Sequence, residues 1–117
     1  MEVEEYISRM NTVMGLFQEG ALEKTLDECN ELIRLKPERK GAYLLKAQIL
    51  SKQERLKEAE KVLMDGLDKT NELIFHSSLG IIRSKMGKHE KALESFDQVI
   101  EAKGKNVKFY FYLAKSL

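Results

Sequence analysis

Cysteine, proline and net charge are all scarce in this chain of 117 residues. Cys29 is its only cysteine, which excludes an internal disulfide and agrees with a reducing compartment. Pro37 is its only proline, and its seven glycines lie mostly between periodic segments. That distribution favours helices punctuated by tight turns. Lys and Arg number 20 against 19 Asp and Glu, a formal net charge of +1, so no bulk field draws the chain toward nucleic acid or anionic lipid. Apolar runs extend only a few residues, too short to cross a bilayer. The opening Met1-Glu2-Val3-Glu4-Glu5 is acidic and lacks the basic-then-apolar order of a secretory signal. These absences predict a soluble, cytoplasmic chain with neither membrane nor nucleic acid among its partners.

What is present is a repeat. Gly20-Ala21-Leu22-Glu23-Lys24-Thr25-Leu26 returns as Glu54-Arg55-Leu56-Lys57-Glu58-Ala59-Glu60 and again as Gly87-Lys88-His89-Glu90-Lys91-Ala92-Leu93. Thr25 to Ala59 is 34 positions and Ala59 to Ala92 is 33. An amphipathic stretch precedes each block: Met10 to Phe17, Tyr43 to Leu50, His76 to Arg83. Tyr43-x3-Ala47-x2-Leu50 reappears late as Tyr110-x3-Ala114-x2-Leu117. A fixed period of this size signals a solenoid.

Apolar residues recur at three and four, as in Leu22-Leu26-Cys29-Leu32-Ile33, Leu56-Ala59-Leu63-Leu67 and Ala92-Phe96-Val99-Ile100. This is helical spacing, and no long alternating run supports a strand. The pattern predicts about seven helices, at roughly 3–18, 22–35, 40–53, 56–69, 73–86, 89–102 and 107–116. Glu19-Gly20, Lys36-Pro37-Glu38, Asn71, Gly87 and Lys103-Gly104-Lys105-Asn106 provide the breaks. Connections of a few residues force neighbouring helices to run antiparallel. Ala47, Gly80 and Ala114 fall at equivalent places on the first helices of the hairpins, Ala59 and Ala92 on the second. Small side chains there let paired helices approach, with Tyr43, Leu50, Leu63, Leu79 and Phe96 filling the surrounding space.

At these residues the chain resembles the tetratricopeptide repeat family. The second repeat supplies Tyr43, Ala47, Leu50, Leu56, Ala59 and Leu63, and the third supplies Leu79, Gly80, Gly87, Ala92 and Phe96. The first supplies Leu16, Gly20, Leu22, Cys29, Leu32 and Pro37, and a fourth begins with Tyr110, Leu113, Ala114 and Leu117. The resemblance implies an all-α, right-handed α-solenoid of antiparallel hairpins, with about three and a half repeats in one domain spanning 1–117. The repeats fall at about 6–39, 40–72 and 73–106, with a half repeat at 107–117. Val13 and Thr25 stand where small residues are usual, Lys46 where Leu is common, and Gly66 where Ala is usual. The last repeat stops after one helix. Either a longer protein continues it, or that helix is a cap, for which Phe109-Tyr110-Phe111-Tyr112-Leu113 is unusually apolar.

In that family first helices line a concave groove, so the resemblance implies a non-catalytic module that binds a peptide or helix of a partner protein. Helical period assigns Ile7, Met10, Asn11, Met14 and Phe17 to the groove from the first helix, and Leu44, Leu45, Gln48 and Lys52 from the third. The fifth gives Ser77, Ser78, Ile81 and Lys85, and the seventh gives Lys108, Phe111 and Tyr112. Alanine at Met14, Leu45 or Phe111 is then expected to weaken binding without unfolding the chain. Met and Phe at helical spacing are equally the pattern of a packed core, and Ile7 and Met10 fit that role too. Lys52 and Lys85 recur, each after a Ser. They suit either an anionic group or a solvated face. Some relatives clamp acidic chaperone tails with Lys, Asn and Arg. The matching places here are Met10, Met14, Leu45, Ile74 and Ser78, and shifting by one repeat gives Leu44 and Gln48. Neither set fits, so tight binding of such tails is not expected.

Other chemistry finds little support. His76 and His89 are thirteen positions apart with no zinc-spaced partner. Cys29 lies on an apolar stripe without an activating base. Met86-Gly87-Lys88 lacks the second glycine and trailing Ser or Thr of a phosphate loop. No cofactor, metal or catalysis is expected. Glu58, Glu60 and Lys61 read as a solvated convex face, and Glu2, Glu4 and Glu5 suit a helix start. Two alternatives to the binding module stand. One is a scaffold self-assembling into a homo-oligomer through the C-terminal helix, especially Phe109 and Phe111. The other is a regulatory piece of a larger protein. A pentatricopeptide-like RNA binder needs clustered Lys and Arg that the near-zero net charge argues against.

Overall fold

The structure, a computed structural model, describes residues 1–103. Among them run six helices: α1 (Val3–Gln18), α2 (Leu22–Leu35), α3 (Gly41–Lys52), α4 (Leu56–Thr70), α5 (Ile74–Lys85) and α6 (His89–Lys103). The seventh expected helix, with Lys108, Phe111 and Tyr112, lies outside the described residues, as does the proposed pairing surface at Phe109. Each helix packs chiefly on the next in sequence, which is the neighbour-to-neighbour arrangement of an α-solenoid.

The three hairpin turns share one geometry. Gly20 and Gly87 adopt φ of 82° and 80°, and Glu54, at the equivalent place, adopts 60°. In each turn this left-handed residue donates its N–H to the carbonyl three back: Gly20 to Phe17, Glu54 to Ser51, Gly87 to Ser84. The next residue donates five back: Ala21 to Leu16, Arg55 to Leu50, Lys88 to Arg83. Together these bonds satisfy the last carbonyls of the first helix in a Schellman motif. Glycine is the natural residue for it, and the middle turn lacks one. A non-glycine residue in the left-handed region costs about 1–2 kcal/mol. Glycine gives back about 0.5–1 kcal/mol of that through its freer unfolded chain. Glu54→Gly is therefore expected to stabilise the protein by about 0.5–1 kcal/mol, read as a rise in Tm of a few degrees. A fall would mean that the Glu54 side chain makes contacts worth more than its backbone strain.

Packing follows the small-residue places. Ala47, Ala59 and Ala92 are buried, as are Tyr43, Leu50, Leu63 and Leu79 around them. A Cβ on Gly80 would lie 2.5 Å from the Phe96 ring, and one on Gly66 would lie 2.5 Å from the Phe75 ring. Phe75 is fully buried and set edge-on to Tyr43, centroids 6.0 Å apart. It fills the room a methyl at 66 needs, which explains glycine where the repeat usually carries alanine. Thr25, at another atypical place, is fully buried with its hydroxyl donating to the Ala21 carbonyl at 2.7 Å. The α2–α3 connection is pinned by the Tyr43 hydroxyl, which donates to the Pro37 carbonyl at 2.7 Å.

Candidate functional site

α3 lies between two hairpins, and its faces divide accordingly. Its Ala42 N–H donates to the Tyr6 hydroxyl at 3.3 Å, and a Cβ on Gly41 would come 3.3 Å from the Met10 methyl. That side therefore meets α1. Tyr43 meets Phe75 of α5 on the other side. What stays open is a strip at a spacing of four: Leu44, Gln48 and Lys52. Together with Ile74, Ser78, Ile81 and Lys85 of α5 it lines a groove of about 430 Å³, floored by Ala47, Leu63 and Ile82.

α1 meets the groove's edge through Phe17, under Lys52. Ile7, Met10, Met14 and Phe17 recur at three and four along that helix. Met10 touches the start of α3, and the Lys52 ammonium sits 4.9 Å from the centroid of the Phe17 ring. Lys85 makes the matching contact one repeat on, donating to the Ser51 hydroxyl at 3.2 Å. Ile7, Met14, Ile74 and Ile81 remain between 38% and 54% exposed despite being large and apolar. Ile74 follows Ile7, and Ile81 follows Met14, by two repeats. Asn11 is exposed on the same helix.

Several readings from sequence are corrected. Leu45 does not line the groove: it is only 4% exposed and belongs to the core, because it shares a face with Ala42 and Ile49, which turns toward the preceding hairpin. Ser77 is half-buried, and neither it nor Ile7, Met10, Asn11, Met14 or Phe17 of α1 is among the residues that line the groove. Glu60 is not on a solvated face. Its carboxylate accepts from Arg83 Nε at 2.9 Å and from Lys88 Nζ at 3.1 Å, and Arg83 Nη1 also donates to Ser95 Oγ at 2.8 Å. Sequence reasoning missed Ile74 as a lining residue, although its equivalence to Ile7 was available from the period. It also missed the Glu60–Arg83–Lys88 cluster, whose members are 23 and 28 positions apart and share no pattern.

A second depression, about 600 Å³, opens between α4, α5 and α6 beside Met64, Asp68, His76, Arg83 and Glu94. Burial, with the Arg83 charge beside it, lowers the His76 pKa. Lys46, where leucine is common, is half-buried and donates to Asn30 at 2.6 Å beside a smaller hollow of about 260 Å³. Burial pushes the Cys29 thiol up to about 11, against a small opposing pull from Lys46, so it stays protonated at neutral pH. Among the described residues no group of three or more His, Cys, Asp and Glu can hold a metal ion, and no helix is long and apolar enough to cross a membrane.

This chain belongs to the tetratricopeptide repeat family, whose sequence profile matches residues 41–68 and 75–106. No curated protein matches it. Among solved structures, the second TPR domain of Spaghetti (RPAP3), bound to the HSP90 peptide SRMEEVD, is similar with a TM-score of 0.70 at 22% identity, over 81% of this chain and 89% of that one. A thermophilic TPR protein of Thermus thermophilus gives 0.71 at 21% identity, over 85% of this chain and 52% of its own. MamA of Desulfovibrio magneticus RS-1 gives 0.71 at 20% identity, over 82% and 55%. The chain thus spans about half the length of the last two. At these identities the likeness establishes the fold alone.

Proposed function

We propose that this chain is a non-catalytic binding module that holds a segment of a partner protein in the groove of its first helices. The carrying observation is the exposure of large apolar side chains at repeat-equivalent places on first helices, Ile7 and Met14 on α1 and Ile74 and Ile81 on α5, the latter two lining the groove. Burying such side chains against water is favourable by about 25 cal/mol per Å². A preformed trough between helices suits an amphipathic helix or extended peptide. The solenoid that binds an HSP90 peptide supports the general mode and not that ligand. The places its clamp would need are held here by Met10, Met14, Leu45, Ile74 and Ser78, which supply neither a cation nor an amide.

The test compares three baits in the native cell extract: the unaltered chain, Met14→Asp/Ile81→Asp, and Met64→Asp. Met64 is an exposed residue beside the other depression. Proteins held by the first and third baits are expected to be lost from the second, by roughly tenfold or more in affinity for two buried apolar contacts. All three should melt alike. Equal recovery on all three baits removes the groove reading.

A further inference from the structure

Carboxylates are divided between the helices of this solenoid far more sharply than its net charge shows. The second helices α2, α4 and α6 each carry four carboxylates, whereas α3 and α5 carry none at all. Among the described residues no Asp or Glu lines the groove, and the apolar stripe of α1 (Ile7, Met10, Met14, Phe17) has none. The cations of the first helices divide as well. Arg9 pairs with Glu28, Arg83 with Glu60, and Lys46 bonds Asn30, all on second helices. Lys52 and Lys85 are left in the groove. Among the described residues neither makes an ion pair; Lys52 lies over Phe17 and Lys85 bonds only the Ser51 hydroxyl. A helix C-terminus favours a cation, which accounts for lysine at the ends of α3 and α5. It does not account for the removal of every carboxylate from both helices.

We infer that the groove selects an acidic partner: an amphipathic protein segment whose apolar side chains lie on Ile74, Ile81 and Met14 and whose carboxylates meet Lys52 and Lys85. This rests on the groove reading above and adds the sign of the ligand's charge. A like-charged segment is rejected by the two lysines, while an acidic one meets no carboxylate among the described residues that line the groove. The present partners of the lysines, a ring face and a neutral hydroxyl, are easily exchanged for a carboxylate. The sites differ from the tail clamp because both cations stand at the C-terminal ends of their helices, whereas the clamp positions here are apolar or neutral.

The probes are two synthetic helical peptides with the same leucine face, one with two glutamates in its last turn and one with two lysines there, each labelled for fluorescence anisotropy. The acidic peptide is expected to bind about tenfold more tightly at low salt, with the gap closing as ionic strength rises to about 0.5 M. Lys52→Glu/Lys85→Glu should invert the preference, and its circular dichroism melt should match the parent because both lysines are exposed. Equal binding of both peptides, with Met14→Asp/Ile81→Asp abolishing it, overturns the charge inference and leaves the groove intact. A preference that survives the double lysine variant also overturns it. Failure of both peptides to bind overturns the inference together with the groove reading.

Discussion

Leu45→Ala is expected to lower stability by about 2–5 kcal/mol, with Tm falling by roughly 10 °C or more. The residue is almost fully buried in the central helix of the described solenoid. Truncation removes about three carbons from close packing and leaves a cavity between α3 and the preceding hairpin, where Ala42 and Ile49 on one side and α1 on the other are fixed by their own contacts. Leu45→Met, which conserves volume, should cost under about 1.5 kcal/mol. Denaturant melts of both variants check this. An alanine variant that melts with the parent shows Leu45 to be unpacked and returns it to the groove. The same result bears on how binding is tested: loss of a partner from a Leu45→Ala bait would report a smaller folded fraction. Met14 and Ile81 are the residues to alter.

Removing the Glu60 carboxylate comes next in size. It is 14% exposed and accepts from two cations, so Glu60→Ala strands the guanidinium of Arg83 with Ser95 alone. Hydrogen bonds to charged groups contribute about 1.5–3 kcal/mol, and a loss in that range is expected. Lys88 adds less because it is more exposed. Replacing both partners, as in Glu60→Leu/Arg83→Met, should recover much of the loss, since no buried charge is then left unpaired. The cluster also sets an acid limit. Burial alone would raise the Glu60 carboxyl, but the bonds and charges of Arg83 and Lys88 outweigh it and hold the group below the ordinary range. A depressed folded value means that the stabilisation is complete above the unfolded glutamate pKa of about 4.3 and fades as pH falls through the folded value. Glu60→Gln should flatten that part of the acid profile. His76, whose folded value is lowered, acts in a higher window: its contribution fades as pH falls below about 6.5. A Glu60→Gln profile parallel to the parent below pH 4 would mean that the cluster carries no linkage.

Repeat period, helix spacing and turn residues were legible because each is local. Gly20 and Gly87 mark turns by their own backbone freedom. Leu22, Leu26 and Cys29 mark a buried stripe by spacing alone. That Leu44, Gln48 and Lys52 share one face of α3 was legible for the same reason. Leu45 was not, because helical period gives the angle between neighbours on one helix and says nothing about how many of its sides are covered. Glu60 was misread because charged residues on a second helix usually face water, and only the approach of Arg83 from α5 and Lys88 from the turn after it makes this one different.

By itself the sequence determined the family, the alternation of first and second helices, and which helices carry carboxylates, since these depend on residue identity and spacing along one chain. Tertiary structure decided that α3 is covered on two flanks, which leaves Leu44 open and closes Leu45. It also decided that Arg9, Lys46 and Arg83 reach partners on second helices while Lys52 and Lys85 stay in the groove. Those outcomes depend on distances between residues 16 to 36 positions apart, and no local pattern encodes such distances until hairpins stack and fix them.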